Sequence, residues 1–156
     1  MTDILIREAT ARDLPEIGGL WRELQQASAA AEPRLRPNAQ AADWFLSYLR
    51  GQLDCDTVAV YVAETKGVVV GYTFGQIMQR PTLLTRECGY IADLCVRADF
   101  RGRGLGRRLY ERLRAWFLSR GIESIEVQVV RANPAAQTFW RKMGFNDFLR
   151  TLRNDL

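Results

Sequence analysis

Asp99-Phe100-Arg101-Gly102-Arg103-Gly104-Leu105-Gly106-Arg107-Arg108 is the stretch that decides how this 156-residue chain is read. Three glycines stand at alternate positions among four arginines. A half-apolar, strand-like run, Tyr90 to Val96, leads in, and a run with helical apolar spacing, Leu105 to Arg120, leads out. Glycine allows tight turning and lets a ligand approach main-chain N–H groups. The first turn of the following helix adds donors without partners and a partial positive charge. Arginine adds full charge and a fork that fits phosphate. The segment is therefore expected to hold a phosphate-bearing ligand.

The flanking sequence supplies a mixed α/β frame. Ile4 to Glu8 reads as a strand, and Thr10 starts a helix with Asp13 as the acidic partner of its cap. Leu14, Ile17, Leu20, Trp21 and Leu24 form that helix's apolar stripe. Ser28 to Pro37 reads as a break. A second helix is expected from about Asn38 to Leu49, with Gly51 as its stop. Thr57 to Glu64 and Val68 to Met78 read as an antiparallel pair around the turn Lys66-Gly67. Arg80 to Cys88 reads as a loop. After the glycine segment and its helix, Gly121 is a stop and Glu123 to Val130 a strand. Asn133-Pro134 opens a short helix closed by Gly144, and Phe145 to Leu156 is expected to add one or two short strands. The order β-α-α-β-β-β-α-β-α-β implies a mixed sheet with helices on its faces.

Composition narrows the chemistry. The length fits a single domain over residues 1–156, with 47% hydrophobic and 26% charged residues typical of a packed globular core. No apolar run reaches the roughly 20 residues of a membrane helix, and the N-terminus has no apolar leader. A cytoplasmic location is the expectation. The three cysteines, Cys55, Cys88 and Cys95, are widely spaced, and there is no histidine. That argues against a disulfide frame, a metal site and a Ser-His or Cys-His nucleophile. The net charge of +4 gathers around the glycines, which suits a local anion site better than a nucleic-acid face.

Two rival phosphate motifs fail. There is no G-K-[ST] of a Walker loop, and the glycine spacing is not G-x-G-x-x-G. The segment instead satisfies [RQ]-x-x-G-x-[GA], and N-x-x-A-x-x-F-W-x-x-x-G-F follows from Asn133 to Phe145. With both motifs in order and at this separation, the chain resembles the GCN5-related N-acetyltransferase (GNAT) family over essentially its whole length. The resemblance implies an acyl-CoA N-acyltransferase fold with the central sheet splayed at the CoA site. It implies acetyl-CoA as cosubstrate, no metal, a primary-amine acceptor attacking directly in a ternary complex, and a possible homodimer.

Residue roles follow from the resemblance. Gly102, Arg103, Gly104, Leu105, Gly106 and Arg107 would cradle the pyrophosphate, with Arg101 and Arg107 or Arg108 as charge partners. Leu94, Cys95 and Val96 would pair their backbone with the pantetheine arm and polarise the thioester carbonyl. Asn133 would bond the arm, or simply cap its helix. Trp140 stands where relatives commonly carry a tyrosine that protonates the thiolate. Indole is not an acid near neutrality, so Trp140 is read as a pocket wall, with Tyr90 or Tyr110 as substitute hydroxyls. Relatives often carry the base at positions matching Tyr90 or Ala92, neither acidic here; the carboxylate this strand does offer, Asp93, is read as the base or the anchor of the substrate amine. Simple alternation puts Ile91, Asp93 and Cys95 on one face and Tyr90, Ala92 and Leu94 on the other, unless a bulge changes the facing. Glu87 and Glu32 are lesser candidates. The alternative functions are a non-catalytic acyl-CoA-binding module and, resting only on the arginines, an RNA- or tRNA-directed acetyltransferase.

Overall fold

The computed structural model describes residues 3–156. Strand β1 (Leu5–Glu8) is followed by a 3-10 turn, Ala11–Asp13, and helix α1 (Leu14–Ala31). The Thr10 backbone N–H donates to Asp13 Oδ2 at 2.7 Å, as the cap reading expects. Helix α2 (Ala41–Gln52) leads to β2 (Val58–Thr65) and β3 (Val68–Gln79). Their connection, Lys66-Gly67, has φ of 50° and 78°, the two left-handed residues of a tight hairpin turn. Then come β4 (Glu87–Val96), α3 (Leu105–Ser119), β5 (Ile125–Val127) and α4 (Pro134–Lys142).

The sheet runs β1-β2-β3-β4-β5. All neighbours are antiparallel except β4 and β5, which are parallel and joined through α3. One face buries Leu105, Leu109, Leu113 and Phe117 of α3 with Ile91 and Val96. The other buries Leu14, Ile17, Leu20, Phe45 and Leu49 of α1 and α2 with Val62, Tyr72 and Phe74. Each such side chain is worth roughly 1.5–3 kcal/mol when removed from water. Helix α3 lies against the sheet because two strand positions lack side chains. A Cβ on Gly75 would sit 2.7 Å from Leu113 Cδ1, and one on Gly89 would sit 2.8 Å from Phe117 Cδ1.

Two irregularities shape the middle of the sheet. First, β5 pairs with β4 only over Gly89, Tyr90 and Ile91. From Ala92 to Val96 the outer edge of β4 has no strand neighbour among the described residues. Second, Phe74 pairs with Asp93 while Gly75 pairs with Ile91, so Ala92 is an extra residue in β4. Thr73 Oγ1 donates to the Asp93 carbonyl oxygen at 2.9 Å, which gives a partner to a main-chain acceptor beside the disrupted ladder.

Several boundaries differ from the sequence reading. Helix α1 continues through Ser28 to Ala31, carried by three consecutive alanines. Gly51 lies inside α2 rather than after it. Strand β4 begins at Glu87, so Cys88 and Gly89 belong to the sheet and not to the loop. The expected final strand is absent: Phe145 to Leu156 carries no regular element. Its apolar residues Phe145, Phe148, Leu149 and Leu152 do not alternate with period two, so no single strand face could bury them. Its polar contacts include two exposed ion pairs, Arg141–Asp147 at 2.7 Å and Arg34–Asp155 at 2.9 Å, each worth little in water.

Candidate active site

Helix α3 opens on Gly104, whose φ of +76° is left-handed, two residues after Gly102 at +73°. Side chains rarely adopt this conformation, and here it turns the chain into the helix. None of the N–H groups of residues 102–107 has a main-chain acceptor among the described residues. The Arg108 N–H is the first to close back, onto Gly104 O at 3.1 Å. Six adjacent N–H donors at a helix N-terminus are thus left without main-chain acceptors, in the segment where the glycine spacing leads to the expectation of an anion cradle.

The arginines around it are mostly committed elsewhere. Arg101 donates through Nε to Val96 O at 2.9 Å and through Nη2 to Glu23 at 2.6 Å, tying the loop to β4 and α1. Arg107 pairs with Glu111 at 2.7 Å, and Arg108 donates to Ile4 O at 2.7 Å. Arg103 instead stacks on Phe100, its guanidinium carbon 4.9 Å from the ring centre. It is the arginine of the cradle whose charge is held by a ring and not by a carboxylate among the described residues.

The open edge of β4 runs from the carboxyl site towards this cradle. Leu94 packs on the α3 face, 3.6 Å from where a Gly106 Cβ would stand, and Val96 lies on the same face. Cys95 points to the opposite face and donates to Leu20 O at 3.3 Å. Burial pushes its thiol up to about 12, which leaves it inert as a nucleophile. Asn133 accepts from Ala136 N at 3.1 Å and caps α4; its side-chain N–H groups remain for other partners. Trp140 is 8% exposed and packs edge-on against Tyr110, Phe139 and Phe145. Its ring is a core element beneath α3 more than the expected pocket wall. Tyr110 shares that cluster and is itself buried.

The bulge settles the facing of Asp93. Ile91 packs with α3, whereas Ala92 packs on the α1–α2 face. Asp93 accepts from the Tyr72 hydroxyl at 3.0 Å, and Tyr72 belongs to the α1–α2 core. Tyr90, adjacent to Ile91, takes the same face as Asp93. The alternation expected from sequence is therefore corrected: Asp93 parts from Ile91 and joins Tyr90 and Ala92. Burial pushes its carboxyl up to about 6, with the Tyr72 hydrogen bond pulling the other way. The Tyr90 hydroxyl donates to Gln128 Oε1 at 3.2 Å, and burial, reinforced by the Asp93 charge, raises its pKa.

The lesser acidic candidates differ. Glu32 is gripped by Arg34, which holds its carboxyl down at about 2. Glu87 accepts from Gln79 Nε2 at 2.6 Å at the far end of β4. Sequence reasoning missed Tyr72 and Thr73. Nothing in their own neighbourhood marks them; only the β3–β4 register brings them onto Asp93. Among the described residues no cluster of three or more Cys, Asp or Glu side chains could hold a metal ion, and no helix is long and apolar enough to cross a membrane.

A mixed sheet split beside a glycine-led helix N-terminus is the arrangement of an N-acyltransferase fold. The chain belongs to the Acetyltransferase (GNAT) family, whose model matches residues 20–145. It is 28% identical over 104 residues to the uncharacterized N-acetyltransferase MJ1207 of Methanocaldococcus jannaschii, a match covering 67% of this chain and 46% of that protein. The chain thus spans about half the length of that curated relative. Among solved structures it superimposes on a mutant of the BH1408 protein from Bacillus halodurans with a TM-score of 0.87 and 25% identity, covering 97% of this chain and 99% of that one. A predicted acetyltransferase with acetyl-CoA from Clostridium acetobutylicum gives a TM-score of 0.81 at 18% identity, over 98% and 96% of the two chains.

Proposed function

We propose that this chain, acting as one domain, transfers the acetyl group of acetyl-CoA to a primary amine. The observation that carries the reading is the bulge at Ala92, which turns Asp93 to the face opposite α3, at the start of the unpaired β4 edge. The Clostridium structure's acetyl-CoA supports the choice of donor. When bound, acetyl-CoA supplies a thioester carbonyl and a thiolate leaving group.

The residues present fit that group. The N–H donors of residues 102–107 would hold the pyrophosphate oxygens, and Arg103 would add charge beside them. The main chain of Leu94, Cys95 and Val96 would hold the pantetheine amides along the open sheet edge and would polarise the thioester carbonyl. Asn133 caps α4 with its carbonyl oxygen and offers its N–H groups to the arm. Asp93 would anchor the incoming ammonium, which gives up one proton to solvent to become the attacking neutral amine; Asp93 would then accept the second proton, directly or through a water, as the C–N bond forms and the C–S bond breaks. An alkylamine carries a pKa of about 10.4 before attack, and the nitrogen becomes far more acidic once it bonds to the carbonyl. The Tyr90 hydroxyl stays protonated in the working range and serves as the donor towards the departing sulfur.

A panel of amines incubated with acetyl-CoA, with free thiol followed continuously, tests the reading. Thiol release above hydrolysis with at least one amine is the expected result; none across monoamines, polyamines, amino acids and peptide N-termini would overturn it. Cytoplasmic residence and pairing into a homodimer belong to the same proposal, and cell fractionation and light scattering check them.

A further inference from the structure

We infer that a cavity at the other end of α3 from the glycine segment is a second ligand site, one that takes a compact molecule bearing two ammonium groups. The cavity measures about 260 Å³. Its walls are the end of β1, the start of β2, the α2–β2 connection and the last turn of α3. Pockets for drug-sized ligands run to roughly 300–1,000 Å³, so this one suits a smaller molecule. Trp116, on its wall, stands about 18 Å along the helix from Gly104, at about 1.5 Å per residue. No residue lining the cavity belongs to the proposed acetyl-CoA or amine site.

Charge selects the ligand class. The charged side chains on the wall are Glu8, Asp54, Asp56 and Arg120. None of the three carboxylates is in an ion pair among the described residues. Arg120 lies over the Trp116 ring, 5.5 Å from its centre, and Arg112 lies over the Tyr61 ring at 4.4 Å. Arg50, in the last turn of α2, does not line the cavity. Three carboxylates thus face one guanidinium at the wall, in a chain whose net charge is +4. Helices α2 and α3 also both end here, at Leu53 and Arg120. The partial negative charge of a helix C-terminus favours a cation.

Tyr61 adds what exposed carboxylates alone would not. It is 1% exposed, and its hydroxyl has no hydrogen-bond partner among the described residues. The sealed, unpartnered side-chain oxygen of the described residues is Thr65 Oγ1, so the Tyr61 hydroxyl opens onto the cavity it lines. A buried hydroxyl without a partner is costly, and an N–H donated to its oxygen removes that cost. Burial raises the hydroxyl's pKa, with Arg112 and Arg120 pulling it down and Glu8 pushing it up, so the oxygen is a neutral acceptor. Tyr61 and Glu8 are strand partners and share a sheet face. One ammonium therefore suits Tyr61 and Glu8, and a second suits Asp54 and Asp56 on the α2–β2 connection. A dianion would gain Arg120 and Arg112 but meet all three carboxylates.

Calorimetry on the full chain without acetyl-CoA tests the site with three probes of one length: 1,3-diaminopropane, 1,3-propanediol and malonate. Saturable binding at low salt is expected for the diamine alone. Tyr61→Phe should weaken it about tenfold. The exposed pair Asp54→Asn with Asp56→Asn should weaken it at least as much, with thermal unfolding unchanged, while Asp93→Asn should leave it within about twofold. No saturable binding of the diamine, or tighter binding of malonate, would overturn the inference. So would diamine binding that Asp93→Asn abolishes and the Asp54, Asp56 double variant leaves intact. Thiol release from acetyl-CoA reports on the acetyl-transfer reading separately from each of these outcomes.

Discussion

Asp93 shows what a single extra residue in a strand achieves. Were β4 regular, with Ala92 paired in its turn, the carboxyl would share Ile91's face and be buried against α3; with Ala92 bulged, the carboxyl meets Tyr72 on the opposite face. This was the part of the site least legible in the sequence. A bulge has no marker in a run such as Tyr90-Ile91-Ala92-Asp93-Leu94, because nothing local says which strand position will lack a partner. The glycines were legible because they answer to local geometry. Asp93 also sets the pH behaviour. Its folded pKa of about 6 lies above the unfolded value of 3.8, so the folded state holds the proton more tightly. Stability therefore rises as pH falls from about 6 towards 3.8, and the cost of the buried charge is complete above 6. That cost is about 3 kcal/mol. Asp93→Asn should accordingly unfold at higher denaturant at pH 7.5 while acetyl transfer collapses. In the parent, kcat/KM should fall as pH drops through about 6. Tyr72→Phe removes a donor that favours the charged carboxylate, so the acid limb should move to higher pH. An unmoved limb would mean that another group governs it.

At the level of elements, α3 does two jobs at once. Its N-terminus presents the donors, and its apolar side, through Leu109, Leu113 and Phe117, fixes it to β3 and β4. The helix itself was evident from its apolar spacing. Its close seat on Gly75 and Gly89 was not, since a strand glycine read alone suggests only weakness. Gly75→Ala should force Leu113 or the helix to shift, costing roughly 1–3 kcal/mol. It should also weaken acetyl-CoA binding measured by calorimetry, although Gly75 is not part of the anion cradle. Normal affinity in a destabilised variant would show that the helix end does not depend on this seat. The C-terminal stretch gives the opposite lesson. Position after α4 suggested strands, but Phe148, Leu149 and Leu152 lack the alternation a half-buried strand requires, and the chain there runs without sheet pairing.

On the scale of the molecule, binding and folding are coupled. A ligand that meets donors from α3 and the edge of β4 binds only the assembled sheet, so it must stabilise it. At a free concentration of one hundred times Kd the gain is about 2.7 kcal/mol. Thermal unfolding should therefore rise steadily with acetyl-CoA. Gly104→Glu places a carboxylate at the cradle and a side chain in a left-handed conformation worth roughly 1–2 kcal/mol of strain. It should begin slightly lower in Tm and show no rise, and a normal rise would remove the cradle from the pyrophosphate.

The seating of Leu113 and Phe117 into the hollows at Gly75 and Gly89 has a consequence for speed. Interlocked surfaces of this kind have one register and no low-energy slide. The gap between the helix end and the carboxyl is thus set like the jaws of a jig, before any substrate arrives. Little of the encounter should be consumed in assembling the jaws, and association with the nucleotide end should run near the rate of simple docking, with slow adjustment confined to the rims that admit the amine.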